Sequence, residues 1–140
     1  MITNTVKTKT AVGKNEYTDA KSYDYEEVLE FTTNYFHGDR LAATTWMNKY
    51  ALKDGEGRFL ELSPADMHKR LATEFARIEY KYSQLHPEAF KKNMLSAYGK
   101  TRNPLDQERI FSLFEDFKYI IPQGSVMAGL GNPHMLSSLS

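Results

Sequence analysis

Four histidines, His37, His68, His86 and His134, are the side chains best suited to move protons or hold a metal near neutral pH. None has a second ligand at metal spacing. Met67-His68-Lys69-Arg70-Leu71 lacks the glutamate and second histidine of a zinc-binding helix. Isolated histidines of this kind read as surface or hydrogen-bonded residues. Glu74 and Glu79 stand near Arg70 and Arg77 in helical register, which predicts charge pairing along a helix face rather than a carboxylate pair for acid–base work. Cysteine is absent, so these residues contain no disulfide, thiolate metal site or thiol nucleophile. The stretch that remains is Tyr119 to Ser140, rich in glycine, serine and proline. Gly129-Leu130-Gly131 runs into Asn132-Pro133-His134 and lacks the third glycine of a dinucleotide fingerprint, while Gly124-Ser125 lacks the lysine of a P-loop. What the stretch does offer is backbone N–H groups and hydroxyls able to receive an anion or a sugar hydroxyl. Composition by itself favours the plainer reading, turn residues packed on a core.

The elements that must position this stretch are helices. Asp24 is placed to cap a first helix to about Phe36, with Tyr25, Val28, Leu29, Thr32 and Phe36 on one face and Gly38 as its stop. Asp39 caps a second, with Leu41, Ala42, Thr45, Trp46, Lys49 and Tyr50 along one side. The short link through His37-Gly38 makes the two helices neighbours. Lys53-Asp54-Gly55-Glu56-Gly57 is a turn, and Arg58 to Leu62 alternates as a short strand would. Ser63-Pro64-Ala65-Asp66 is a strong helix start. The third helix is predicted to reach about Tyr82, burying Met67, Leu71, Phe75, Ile78 and Tyr82 and keeping Lys69, Arg70, Glu74 and Lys81 wet. Pro87 to Tyr98 reads as a weaker helix ended by Gly99. Asn103-Pro104-Leu105-Asp106 opens another, with Leu105, Ile110, Leu113, Phe114 and Phe117 inward. Gly and Pro are the poorest helix formers, so Tyr119 to Ile121 is expected as a buried strand end that passes into a close-packed, non-helical loop. Thr8 to Val12 alternates as an edge strand or belongs to a mobile tail.

At 140 residues the length fits one domain with an adequate core. Eighteen basic residues balance eighteen acidic ones, which leaves no electrostatic footprint for nucleic acid or an anionic membrane. No apolar run is long enough to span a bilayer, and the polar N-terminus has no secretory core, so a cytoplasmic location is expected. The division expected is a polar tail over residues 1–23 and a helical domain over 24–140.

Taken in order, several pieces resemble the N-terminal region of the large, catalytic subunit of ribonucleotide reductases. They are Tyr35-Phe36-His37-Gly38-Asp39 with Leu41-Ala42, Trp46 to Leu52, Leu62 to Ala72, Glu74 to Glu79, Tyr119 to Gly129, and Leu136-Ser137-Ser138-Leu139-Ser140. The resemblance runs from about Asp24 to Ser140. His86 to Lys100 matches less well and reads as an insertion. The implied fold class is mainly α: the helical region that leads into a ten-stranded α/β barrel, with the first barrel strand or loop at its C-terminal end. The implied activity is reduction of ribonucleoside di- or triphosphates to deoxyribonucleotides for DNA synthesis, in which a thiyl radical takes the ribose 3′ hydrogen and a cysteine pair supplies electrons.

By this mapping Gly124, Ser125 and Ser140 touch the substrate. In the family a redox cysteine follows almost directly after the segment matching Leu136 to Ser140. The radical cysteine, its partner and the acid–base carboxylate are therefore expected beyond Ser140, and the 140 residues are expected to be inactive alone, as a fragment, a split-gene half or an upstream extein. The partners implied are the remainder of the barrel and a ribonucleotide, with no nucleic acid and no membrane. No cofactor is expected in this segment; the parent enzyme would use adenosylcobalamin, the favoured type, or a separate radical-generating subunit. The competing expectation is a stand-alone helical protein-interaction module without catalysis.

Overall fold

Acidic caps set where three of the helices begin, because an N-cap oxygen can take up one of the free N–H groups of the first turn. The computed structural model describes residues 21–91, 94–101 and 105–133. In α1, Tyr25–Tyr35, the Asp24 carboxylate accepts from the Glu27 N–H at 2.8 Å. Glu26 and Glu27 add negative charge to the positive end of the helix dipole. His37 and Gly38 follow with φ of 54° and 94° and reverse the chain. Asp39 then caps α2, Arg40–Lys49, by accepting from the Ala42 N–H at 2.9 Å. α1 and α2 pack against each other, as the short link requires.

Ser63-Pro64-Ala65-Asp66 does start α3, Pro64–Leu85, which runs on past the expected Tyr82. Ser63 makes no capping bond; the Asp66 carboxylate reaches back to the Leu62 N–H at 3.0 Å instead. A 3₁₀ turn, Pro87–Phe90, and a short α4, Ala97–Thr101, stand where one helix through Tyr98 was expected. Lys91 is extended between them, and Met94 and Tyr98 are exposed. Without an apolar face to bury, little offsets the cost of helix nucleation there. Asp106 caps α5, Gln107–Phe114, accepting from the Arg109 N–H at 2.9 Å. A 3₁₀ turn, Glu115–Phe117, and α6, Gly124–Gly129, complete the described chain.

The fold is mainly helical, and the described residues contain no strand. Arg58 to Leu62, expected as a short strand, supplies only the isolated bridges of Phe59 with Tyr23 and with Lys53. The core sits where α1, α2, α3 and α5 meet. α1 contributes Val28 and Leu29, α2 Ala43, Trp46 and Met47, α3 Met67, Leu71 and Ala72, and α5 Ile110 and Phe114. Trp46 is central: its indole N–H lies 3.3 Å from the Met67 sulfur. α2 is turned from the expected face, because Ala43 and Met47 point inward and leave Leu41 77% exposed. Tyr25 and Tyr82 are likewise exposed rather than buried.

The largest correction is at the C-terminal end of the described chain. Tyr119 to Ile121 is neither a strand nor buried; Tyr119 is 76% and Ile121 68% exposed. The segment has no neighbouring strand, and the Ile120 N–H pairs instead with the Leu113 carbonyl at 3.0 Å. The glycine-rich run that follows was expected to avoid helix, yet it forms α6. Its two glycines occupy the first and last helical positions, where their penalty is smallest, and Ser125 to Ala128 fill the interior. Thr8 to Val12, Ser140 and the Leu136 to Ser140 motif lie outside the described residues.

Candidate functional site

α6 carries two of the three residues assigned to substrate. Gly124 is its first residue and Ser125 its second, and both are half-buried. The Ser125 hydroxyl has no hydrogen-bond partner among the described residues. Gly124 packs on Tyr50 so closely that a Cβ there would stand 3.2 Å from the Tyr50 Cε1. A side chain at this position would need the Tyr50 ring to give way by a few tenths of an ångström. Ser140, the third assigned residue, lies outside the described residues.

The other end of α6 is held by charge. The Arg70 guanidinium donates to the Met127 carbonyl at 2.8 Å and to the Leu130 carbonyl. These oxygens belong to the last turn and the C-cap, where helix carbonyls lack partners inside the helix. A cation there also meets the negative end of the helix dipole. Arg70 in turn forms an ion pair with Glu61 at 2.7 Å, and the two side chains are only 9% and 4% exposed. The second Glu61 oxygen accepts from the Leu52 N–H at 2.8 Å. A buried ion pair repays its desolvation only when the remaining donors and acceptors are satisfied, and here they are spent on three backbone groups, the Leu52 N–H and the Met127 and Leu130 carbonyls. Gly131, at φ 71°, lets the chain pass beside this arginine; a Cβ there would come within 3.0 Å of the Arg70 Cγ.

Arg70 was expected on the wet face of α3, among charge pairs of Glu74 and Glu79 with Arg70 and Arg77. It is instead buried against Glu61, while the pairing along the helix is met by Glu74 and Arg77 at 2.6 Å. Arg70 lies next to Leu71 and three residues after Met67, on the flank of the apolar stripe, where a small helix rotation decides between solvent and core. Glu61 gave a readable sign: an acid between Leu60 and Leu62 in an otherwise apolar run needs a partner if it is buried. Tyr50 gave none that separated it from other core aromatics.

His68 departs from expectation in another way. It is wholly buried, and neither ring nitrogen has a hydrogen-bond partner among the described residues. Its ring stacks on Phe114 at 6.3 Å and meets the edge of Phe117 at 4.6 Å. Burial pushes its pKa down to about 4, against a smaller upward pull from the Asp116 carboxylate. Nearby, burial pushes the Tyr35 hydroxyl up to about 12, with the charge of Asp116 adding to the shift. Asp116 and Phe117 both have positive φ, 52° and 56°, in the turn that brings Phe117 onto His68.

Two apolar grooves border α6. One, of about 410 Å³, runs between Phe75 of α3, Ile110 and Phe114 of α5, and Ile120, Pro122 and Val126. The other, of about 350 Å³, is walled by Phe36, Leu41, Trp46, Tyr50, Phe117 and Met127. Among the described residues no group of three His, Asp or Glu side chains could hold a metal ion, and no helix is long and apolar enough to cross a membrane. No family model, no curated protein and no solved structure matches the chain.

Proposed function

We propose that the chain is the N-terminal helical segment of a ribonucleotide reductase large subunit. It packs against the cysteine-bearing barrel and lends Gly124, Ser125 and Ser140 to the substrate pocket. One observation supports this reading above the others: the pieces that resemble the family converge on α6. Trp46 to Leu52 supplies Tyr50, which packs on Gly124. Leu62 to Ala72 supplies Arg70, which bonds the Met127 carbonyl. Tyr35 to Asp39 supplies Phe36, which lines one apolar groove together with Met127 of α6. In the stretch that matches poorly, His86 to Lys100, Met94 and Tyr98 are exposed.

The exposed Tyr119, Ile120 and Ile121 beside an open apolar groove agree with a surface that a partner covers, since soluble monomers seldom leave large contiguous apolar patches bare. The chemistry in this reading is supplied by the barrel. With no cysteine in the 140 residues, neither a thiyl radical nor a redox dithiol can form within them. In this reading adenosylcobalamin or a radical-generating subunit would serve the barrel. A cytoplasmic location goes with this reading.

The test is reconstitution. The chain is mixed with a polypeptide from the same genome that carries the barrel, and deoxyribonucleotide formation is followed together with co-elution on gel filtration. The expected result is no product from either part alone, with a complex and turnover from the mixture. A barrel polypeptide that is fully active without this chain, or that never binds it, would overturn the proposal. The interaction-module reading predicts binding without turnover.

A further inference from the structure

We infer that Arg70, held by Glu61, is the residue that positions the Gly124–Gly129 helix and hence the Gly124–Ser125 corner offered to substrate; the substrate part of this inference rests on the reductase reading. α6 is too short to be stable by itself. Its glycines leave no side-chain anchor at either end; Met127 enters the hydrophobic core and Val126 packs against it, and the polar hold on its C-terminal end is Arg70. Arg70 reaches it from α3, the longest helix, and bonds the Met127 and Leu130 carbonyls. The ion pair with Glu61 fixes the guanidinium plane. Glu61 in turn is fixed by the Leu52 N–H, two residues from Tyr50. Tyr50 meets Gly124 at the other end of α6. Both ends of the short helix are therefore referred to one buried charge pair, through Arg70 at the C-terminal end and through the Tyr50–Leu52 segment at the N-terminal end.

A planar, forked donor is needed for this arrangement. Lysine offers a single ammonium and cannot hold a carboxylate edge and two carbonyls in one plane. Arg70 touches no substrate in this scheme; it is a positioning residue.

Three variants test the inference: Arg70→Lys, Glu61→Gln, and Gly131→Ala. The last keeps both charges but drives a Cβ to 3.0 Å from the Arg70 Cγ at a φ of 71°. The Met127 and Leu130 N–H groups donate to the Gln123 and Val126 carbonyls, so their exchange, compared with that of amides in the middle of α3, reads the opening of α6 once the clamp on its carbonyls is weakened. Local loosening should speed exchange in α6 by about tenfold or more while the α3 amides change far less. In the reconstituted reductase, Arg70→Lys should raise KM for the ribonucleotide by about tenfold and leave kcat within about twofold, the pattern of lost substrate positioning.

Equal loss of protection in α3 and α6 would reduce Arg70 to a general stabiliser and overturn the inference. So would unchanged exchange in all three variants, or an unchanged KM in an active Arg70→Lys enzyme. If the wild-type mixture shows no turnover, the reductase reading falls and the substrate role with it, while the exchange data still decide whether Arg70 holds α6.

Discussion

His68 is a buried base with no hydrogen-bond partner among the described residues, and its surroundings give a definite pH dependence. In the folded chain its pKa lies at about 4 because burial disfavours the imidazolium. In the unfolded chain it titrates near its ordinary value of about 6.5. The unfolded state thus binds the extra proton first as pH falls, and stability present above about pH 6.5 is lost towards pH 4. Asp116 is the charged group acting on the ring, and its pull is too small to reverse the direction. Urea unfolding should show a loss on the order of 2–3 kcal/mol between about pH 7 and pH 4.5 from this group. His68→Leu should flatten that slope, and an equal slope in the variant would assign it to the carboxylates instead. Arg70 and Glu61 form the other buried polar group, and here removal of one partner is the costly change. Arg70→Met would strand the Glu61 carboxylate and should destabilise the fold by about 3–5 kcal/mol in thermal or urea unfolding.

Among the elements, α1, α2 and α5 owe their starts to aspartates whose carboxylates accept from N–H groups three residues on. Asp39→Ala should cost about 1 kcal/mol, read as a lower urea midpoint with an unchanged m-value. Ser63→Ala should cost less, because the Asp66 carboxylate makes the bond at the start of α3. The short helix α6 differs in kind. Its stability comes from groups outside it, so the substitutions that matter most for it lie on α3, at Glu61 and at Tyr50. A helix of six residues does not otherwise persist in water.

At the scale of the whole molecule, the hydrophobic core is assembled mainly from α1, α2, α3 and α5, with Phe59 and Met127 of α6 joining it, and Tyr119, Ile120 and Ile121 before α6 form one of the apolar stretches left bare. Tyr119 and Ile121 contribute little to the fold because they touch mostly solvent. Ile121→Lys should therefore leave the melting curve nearly unchanged, within about 0.5 kcal/mol. In the reductase reading it should weaken co-elution with the barrel. A large loss of thermal stability would instead show that Ile121 is part of the core.

The sequence by itself determined the helical class, the caps at Asp24, Asp39 and Asp106, the reversal at Gly38 and the central place of Trp46. These follow from local rules: a cap oxygen near a free N–H, a glycine where φ must be positive, apolar residues at helical spacing. The start of α3 was legible too, although the atom that caps it was not. Only the tertiary structure decided the fate of Tyr119 to Gly129. Local propensity argued for strand and loop there; the absence of a pairing strand, the Tyr50 ring against Gly124 and the Arg70 guanidinium on the Met127 carbonyl produced an exposed segment and a helix. The burial of Arg70 and His68 was likewise hidden, because each stands beside an apolar stripe and its exposure depends on how α3 is rotated against partners far away in sequence. Gly124 and Ser125 could be singled out from the sequence as candidates, while the residues that pack on and bond to their helix lie 50 or more positions upstream and come together only on folding.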